Sequence, residues 1–148
     1  MKVIFSEELN QFKNSGQFSF KLFENLQDKC NAPSDQCGVY LIFKVELEME
    51  ELIYIGSCGQ VKDGKLKIRK SGLGGIKDRL VNGYHPKFGK VKRKTAFPNQ
   101  MKKENISELK FYWWVTYDSE KNELPTEVET KLRKKYFNVF NRLPDWHK

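Results

Sequence analysis

The chain has no run of apolar residues near the ~18 that a membrane-spanning helix requires, so no such helix is expected. Its beginning, Met1-Lys2-Val3-Ile4-Phe5-Ser6, turns acidic at Glu7-Glu8, too early for a secretory core, and a cytoplasmic location is expected. Cysteine is scarce and odd in number: Cys30, Cys37 and Cys58, with no C-x-x-C pair. That disfavours a disulfide framework and points to reduced thiols. A zinc site would have to recruit His85 or His147, the only two histidines. No internal repeat, low-complexity tract, helix-turn-helix or zinc finger is present.

What is abundant is positive charge, and it is concentrated. Over 62–94 there are twelve Lys or Arg against Asp63 and Asp78, a local charge of +10. The whole chain carries +8, so the remainder is slightly acidic. Such an excess fits either a solvated loop or a phosphate-binding surface, and its confinement to one segment favours the second. At 148 residues the chain reads as a single domain, 1–148, large enough to bury about two-thirds of its unfolded surface.

Apolar spacing predicts helices over 6–15, with Leu9 and Phe12 on one face, and over 20–29, with Leu22, Phe23 and Leu26. A turn-rich connector, 31–36, leads into two apolar strands joined through the acidic stretch 46–51, which reads as a polar β-turn. A short strand is expected at 65–69. The glycine-rich stretch 71–75 then opens a two-turn helix over 76–82, stopped by Gly83. Residues 84–99 read as an exposed basic loop and 100–108 as a short helix. Residues 109–117 read as a strand with bulky groups on both faces. The helix 126–140 is the clearest of all, with Val128, Leu132, Tyr136 and Phe140 in line.

The strings Gly38-Val39-Tyr40 and Tyr54-Ile55-Gly56 sit at corresponding places in the two hairpin strands, bringing two phenols together. With Arg79 in the following helix, Glu129 in the late helix and the ending Leu143-Pro144-Asp145-Trp146, the chain resembles the GIY-YIG nuclease superfamily across 38–147. Val39 replaces the isoleucine of the first string. The resemblance implies an α+β fold, a small antiparallel sheet flanked by helices in a core at 37–148, with 1–36 an added N-terminal helical extension. It also implies hydrolysis of DNA phosphodiesters with one Mg²⁺ or Mn²⁺ per active site. Tyr40 would deprotonate or align water, Tyr54 and Arg79 would engage the phosphate, and Glu129 would hold the metal. Gly56, His85 and His147 would be accessory, with His147 standing where relatives carry asparagine. Lys65 and Lys67 are further candidates.

The chemistry is sound for these residue types. A guanidinium forks onto phosphate and stays charged, and Mg²⁺ can be held by as little as one carboxylate. Each residue also has a plainer role. Tyr40 and Tyr54 could be cross-strand aromatics, Arg79 a solvated helix residue and His85 a loop histidine. Thr126-Glu127-Val128-Glu129 fits a capping box, which would leave Glu127 as the metal ligand. Lys87, Lys90, Lys92, Arg93 and Lys94 are expected to track the DNA backbone, and a dimer would allow both strands to be cut. The alternatives are an inactive nucleic-acid-binding module, or a protein-interaction domain built on Phe111, Trp113 and Trp114.

Overall fold

The computed structural model describes residues 2–62, 65–67, 75–118 and 121–147. A 3-10 turn (Lys2–Phe5) and a short helix α1 (Ser6–Leu9) precede strand β1 (Ser15–Lys21) and helix α2 (Leu26–Lys29). The hairpin β2 (Cys37–Glu46) and β3 (Met49–Ser57) follows, then the small pair β4 (Gln60–Lys62) and β5 (Lys65–Lys67). Helices α3 (Ile76–Asn82) and α4 (Arg93–Glu104), strand β6 (Glu108–Tyr117), helix α5 (Pro125–Phe140) and a 3-10 turn (Asp145–His147) complete the chain. The main sheet is antiparallel, in the order β1-β6-β2-β3. The protein is thus α+β, as the sequence predicts. Among the described residues no helix is long and apolar enough to cross a membrane.

Both faces of the sheet are covered, because β2 and β6 are apolar at successive positions. On one face Tyr40, Ile42, Phe111 and Trp113 pack with Leu80, Phe97, Met101 and Trp146. On the other, Val39, Leu41, Phe43 and Tyr112 pack with Phe5, Leu9, Val128, Leu132 and Tyr136. Phe111 and Trp113 are therefore core residues, and the Trp113 indole donates to the Asn31 side chain at 2.9 Å. The partner of β2 jumps from Tyr54, opposite Ile42, to Leu52, opposite Phe43, leaving Ile53 as a bulged residue. Ile53 and Tyr54 both join the first face.

Four expectations need correction. The first 36 residues are not a helical extension: among those described, α-helix occupies only 6–9 and 26–29, beside the 3-10 turn at Lys2–Phe5, and Ser15–Lys21 is an edge strand of the main sheet. Alternation of buried Phe18 and Phe20 against β6 outweighs the helical spacing there. The acidic stretch 46–51 is mostly strand, since Leu47 and Glu48 alone make the turn, both at positive φ (50° and 65°). The basic loop ends at Lys92, because Arg93–Glu104 is helical and Pro98 lies within it. Finally, Thr126 does not cap α5: Leu124 is the N-cap and Pro125 occupies the first turn. Of the strand expected at 65–69, the first three residues pair with β4. Ile68, Arg69, Lys70 and the glycine-rich 71–74 lie outside the described residues.

Candidate active site

Tyr40 stands opposite Gly56 and Ile42 opposite Tyr54, so the two tyrosines are diagonal neighbours on one face of the hairpin. Their ring centroids are 6.2 Å apart. The glycines of both strings answer to close packing. A Cβ at Gly56 would lie 2.5 Å from the Tyr40 oxygen, and one at Gly38 would strike the Trp114 carbonyl.

Around the phenols the chain assembles two histidines and a guanidinium. The Tyr54 ring lies between His85, at 4.6 Å, and His147, stacked at 4.3 Å. His147 Nε2 accepts a 3.0 Å hydrogen bond from the Ile55 N–H on the outer edge of β3. The residue that replaces the expected asparagine therefore fastens the C-terminal turn to the edge strand. His85 is buried, not a surface residue. Its Nδ1 accepts from the Lys87 N–H at 3.1 Å, while its Nε2 has no partner among the described residues. Burial, then neighbouring Arg93, presses the His85 pKa down to about 3. Burial, then Arg133, presses that of His147 to about 4. Both imidazoles are neutral at pH 7. Burial foremost raises the Tyr54 pKa well above its usual value, so this phenol keeps its proton and can donate.

Arg93 is the largest departure from expectation. Assigned by sequence to a DNA-tracking surface, it is instead 2% exposed and donates to the Tyr40 oxygen. Its guanidinium carbon lies 5.6 Å from the Tyr40 ring centroid and 5.7 Å from that of Tyr54. The signal was its spacing: Arg93, Ala96, Phe97 and Met101 fall on one helical stripe, and all four are buried. Lys87, Lys90, Lys92 and Lys94 are exposed, as a phosphate-tracking surface requires.

Glu129 lies on α5, which covers the face of the sheet opposite the phenols. Its Oε1 accepts from the Ser57 hydroxyl at 2.5 Å, at the open end of β3, and its Oε2 lies 3.4 Å from Arg133. Its charge is felt at Tyr54. The carboxylate and the phenols thus sit around the end of edge strand β3, one on each side. Glu127 is exposed, and α5 has no side-chain cap, so the capping role for Glu129 does not persist. Arg79, half-buried on α3, lies beside Cys37 and Cys58, and its positive charge favours the thiolate of each. Ser57 and Arg133 were missed by sequence reasoning; a serine closing a strand and an arginine in a basic helix turn carry no distinguishing pattern.

Among the described residues no group of three or more His, Cys, Asp or Glu is placed to hold a metal. The donor set that does exist, the Glu129 carboxylate with the Ser57 hydroxyl against it, is all oxygen. Oxygen is the donor type a hard cation takes, and in this structure Oε1 is engaged by Ser57 and Oε2 by Arg133. No family model, curated protein or solved structure matches the chain.

Proposed function

We propose that this protein is a metal-dependent endonuclease that hydrolyses DNA phosphodiesters at the open end of the β2–β3 hairpin. The observation that carries the reading is convergence. Tyr40, Tyr54, His85, Arg93 and His147 meet in one contact network, with Glu129 and Ser57 across the strand end. The exposed lysines of 87–94 begin directly beside it, at the Lys87–His85 hydrogen bond.

Each residue has a task its chemistry allows. Glu129, with Ser57, would hold Mg²⁺ or Mn²⁺, which when bound supplies Lewis-acid stabilisation of phosphoryl charge. Tyr54, kept protonated by burial, donates a hydrogen bond to the phosphate. Tyr40 accepts from a water and aligns it. Arg79, half-buried on α3, supplies a guanidinium for phosphate oxygens. Lys87, Lys90, Lys92 and Lys94 follow the neighbouring backbone. A single site per chain cuts one strand per encounter, so double-strand cleavage calls for a dimer or two successive bindings.

One observation favours a second reading, a nucleic-acid-binding module without turnover: Tyr40 is 1% exposed, and Arg93 and His85 are as deeply buried. A single experiment separates the two. Purified protein is incubated with supercoiled plasmid and Mg²⁺ or Mn²⁺, beside Tyr40→Phe and Glu129→Ala. The nuclease reading expects nicked circles from wild type and at least ~10²-fold slower nicking by either variant. Binding without any metal-dependent product would establish the module instead.

A further inference from the structure

A buried cation normally has a carboxylate beside it, and Arg93 has none among the described residues. Burial alone would lower its pKa. Tyr40 first, and then Tyr54, outweigh burial and hold the guanidinium above its usual value. The charge is therefore stabilised by phenols: a hydrogen bond to the Tyr40 oxygen, the two tyrosine rings, and the Phe97 ring at 5.8 Å. A further nitrogen reaches the Tyr84 carbonyl at 3.5 Å, while Nε has no acceptor among the described residues.

The geometry constrains Tyr40 in turn. A guanidinium only donates, so the Tyr40 oxygen must give it a lone pair. That leaves the oxygen with its own hydrogen and one further lone pair. The Tyr40 oxygen also packs directly against Gly56, where an added Cβ would lie at 2.5 Å. The orientation of the remaining lone pair is thus set by two fixed neighbours, one on α4 and one on β3.

We infer that Arg93 is the positioning residue for Tyr40: it pins the phenol oxygen and turns its free lone pair toward the attacking water. The inference rests on the nuclease reading. It assigns a role to a second arginine, distinct from Arg79, that acts through Tyr40 without touching DNA.

The test compares wild type, Arg93→Gln, Tyr40→Phe and the double variant in metal-dependent plasmid nicking at saturating and limiting DNA. Arg93→Gln is expected to lose about 10²-fold in kcat with KM for DNA nearly unchanged, as misplacement of a reacting group does. The double variant is expected to be no slower than Tyr40→Phe, because both changes remove the same alignment. A tyrosine 13Cζ resonance, assigned to Tyr40 by its disappearance in Tyr40→Phe, should shift in Arg93→Gln. A merely structural arginine would not produce the non-additive rates. Should Arg93→Gln not melt cooperatively, Arg93→Lys carries the comparison, with an intermediate rate expected and a wild-type rate overturning the inference. Nicking by Arg93→Gln within about threefold of wild type, or losses that multiply in the double variant, would overturn it while leaving the nuclease reading intact. No nicking by wild type would overturn both.

Discussion

A methyl group at position 56 would stand 2.5 Å from both the Tyr40 oxygen and its ring carbon Cζ, and Tyr40 is itself buried in the core. Gly56→Ala must therefore displace Tyr40. Urea unfolding is expected to show a loss of about 1–3 kcal/mol, typical of overpacking, together with a loss of nicking. The two histidines make a second prediction at this scale. Their folded pKa values, about 3 for His85 and about 4 for His147, lie below the ordinary 6.5. Between these limits the unfolded chain binds more protons, so the stability that neutral imidazoles contribute is complete above pH 6.5. It declines as pH falls toward 4 and then 3. Urea midpoints measured from pH 7.5 to 4.5 should fall, and the fall should be smaller in His147→Asn. Single residues were also where sequence reasoning was weakest. Tyr40, Tyr54 and Glu129 were named on the resemblance, with helix spacing used only to prefer Glu129 over Glu127. Arg93 was misplaced because Lys87, Lys90, Lys92 and Lys94 around it outweighed the apolar stripe beneath it.

Elements with one strong period were legible, and those with competing periods were not. The hairpin and α5 bury what their spacing says they should. Strand β1 was hidden because Leu22, Phe23 and Leu26 give a helical pattern that begins at Phe20, and only pairing with β6 resolves it. The bulge at Ile53 leaves no mark in composition, yet it sets Tyr54 opposite Ile42 and so beside Tyr40. The hairpin turn offers a test of this scale. Leu47 and Glu48 hold the positive φ values of a two-residue turn, and Leu47 is 97% exposed, so its side chain does not compensate for the backbone conformation. Replacing the pair by Asn-Gly should raise the urea midpoint, with a gain of about 0.5–1 kcal/mol and no change in DNA nicking. A lower midpoint would mean that the Leu47 side chain has a role the fold does not explain.

At the scale of the molecule, the electrostatic division matters most. The segment 62–94 holds more positive charge than the chain as a whole, and its end folds against the part of the sheet where the polar groups gather. On the proposed reading this surface would bind a polyanion by displacing counterions, and affinity should fall steeply between about 50 and 200 mM salt. Lys90, Lys92 and Lys94 are exposed and take no part in the network around the tyrosines. Changing all three to Gln should therefore weaken binding to unrelated DNA sequences alike. It should lower the slope of log affinity against log salt by roughly three, about one for each phosphate no longer neutralised. Fluorescence anisotropy with a short duplex, repeated across salt concentrations, measures this without any need for cleavage. An unchanged slope would show that the polyanion does not lie along this loop, and would detach the basic segment from the site. A reduced slope with wild-type nicking at low salt would instead separate the two functions of the end of the hairpin. The lysines would gather the DNA, while the residues around Tyr40 and Glu129 would determine whether it is cut.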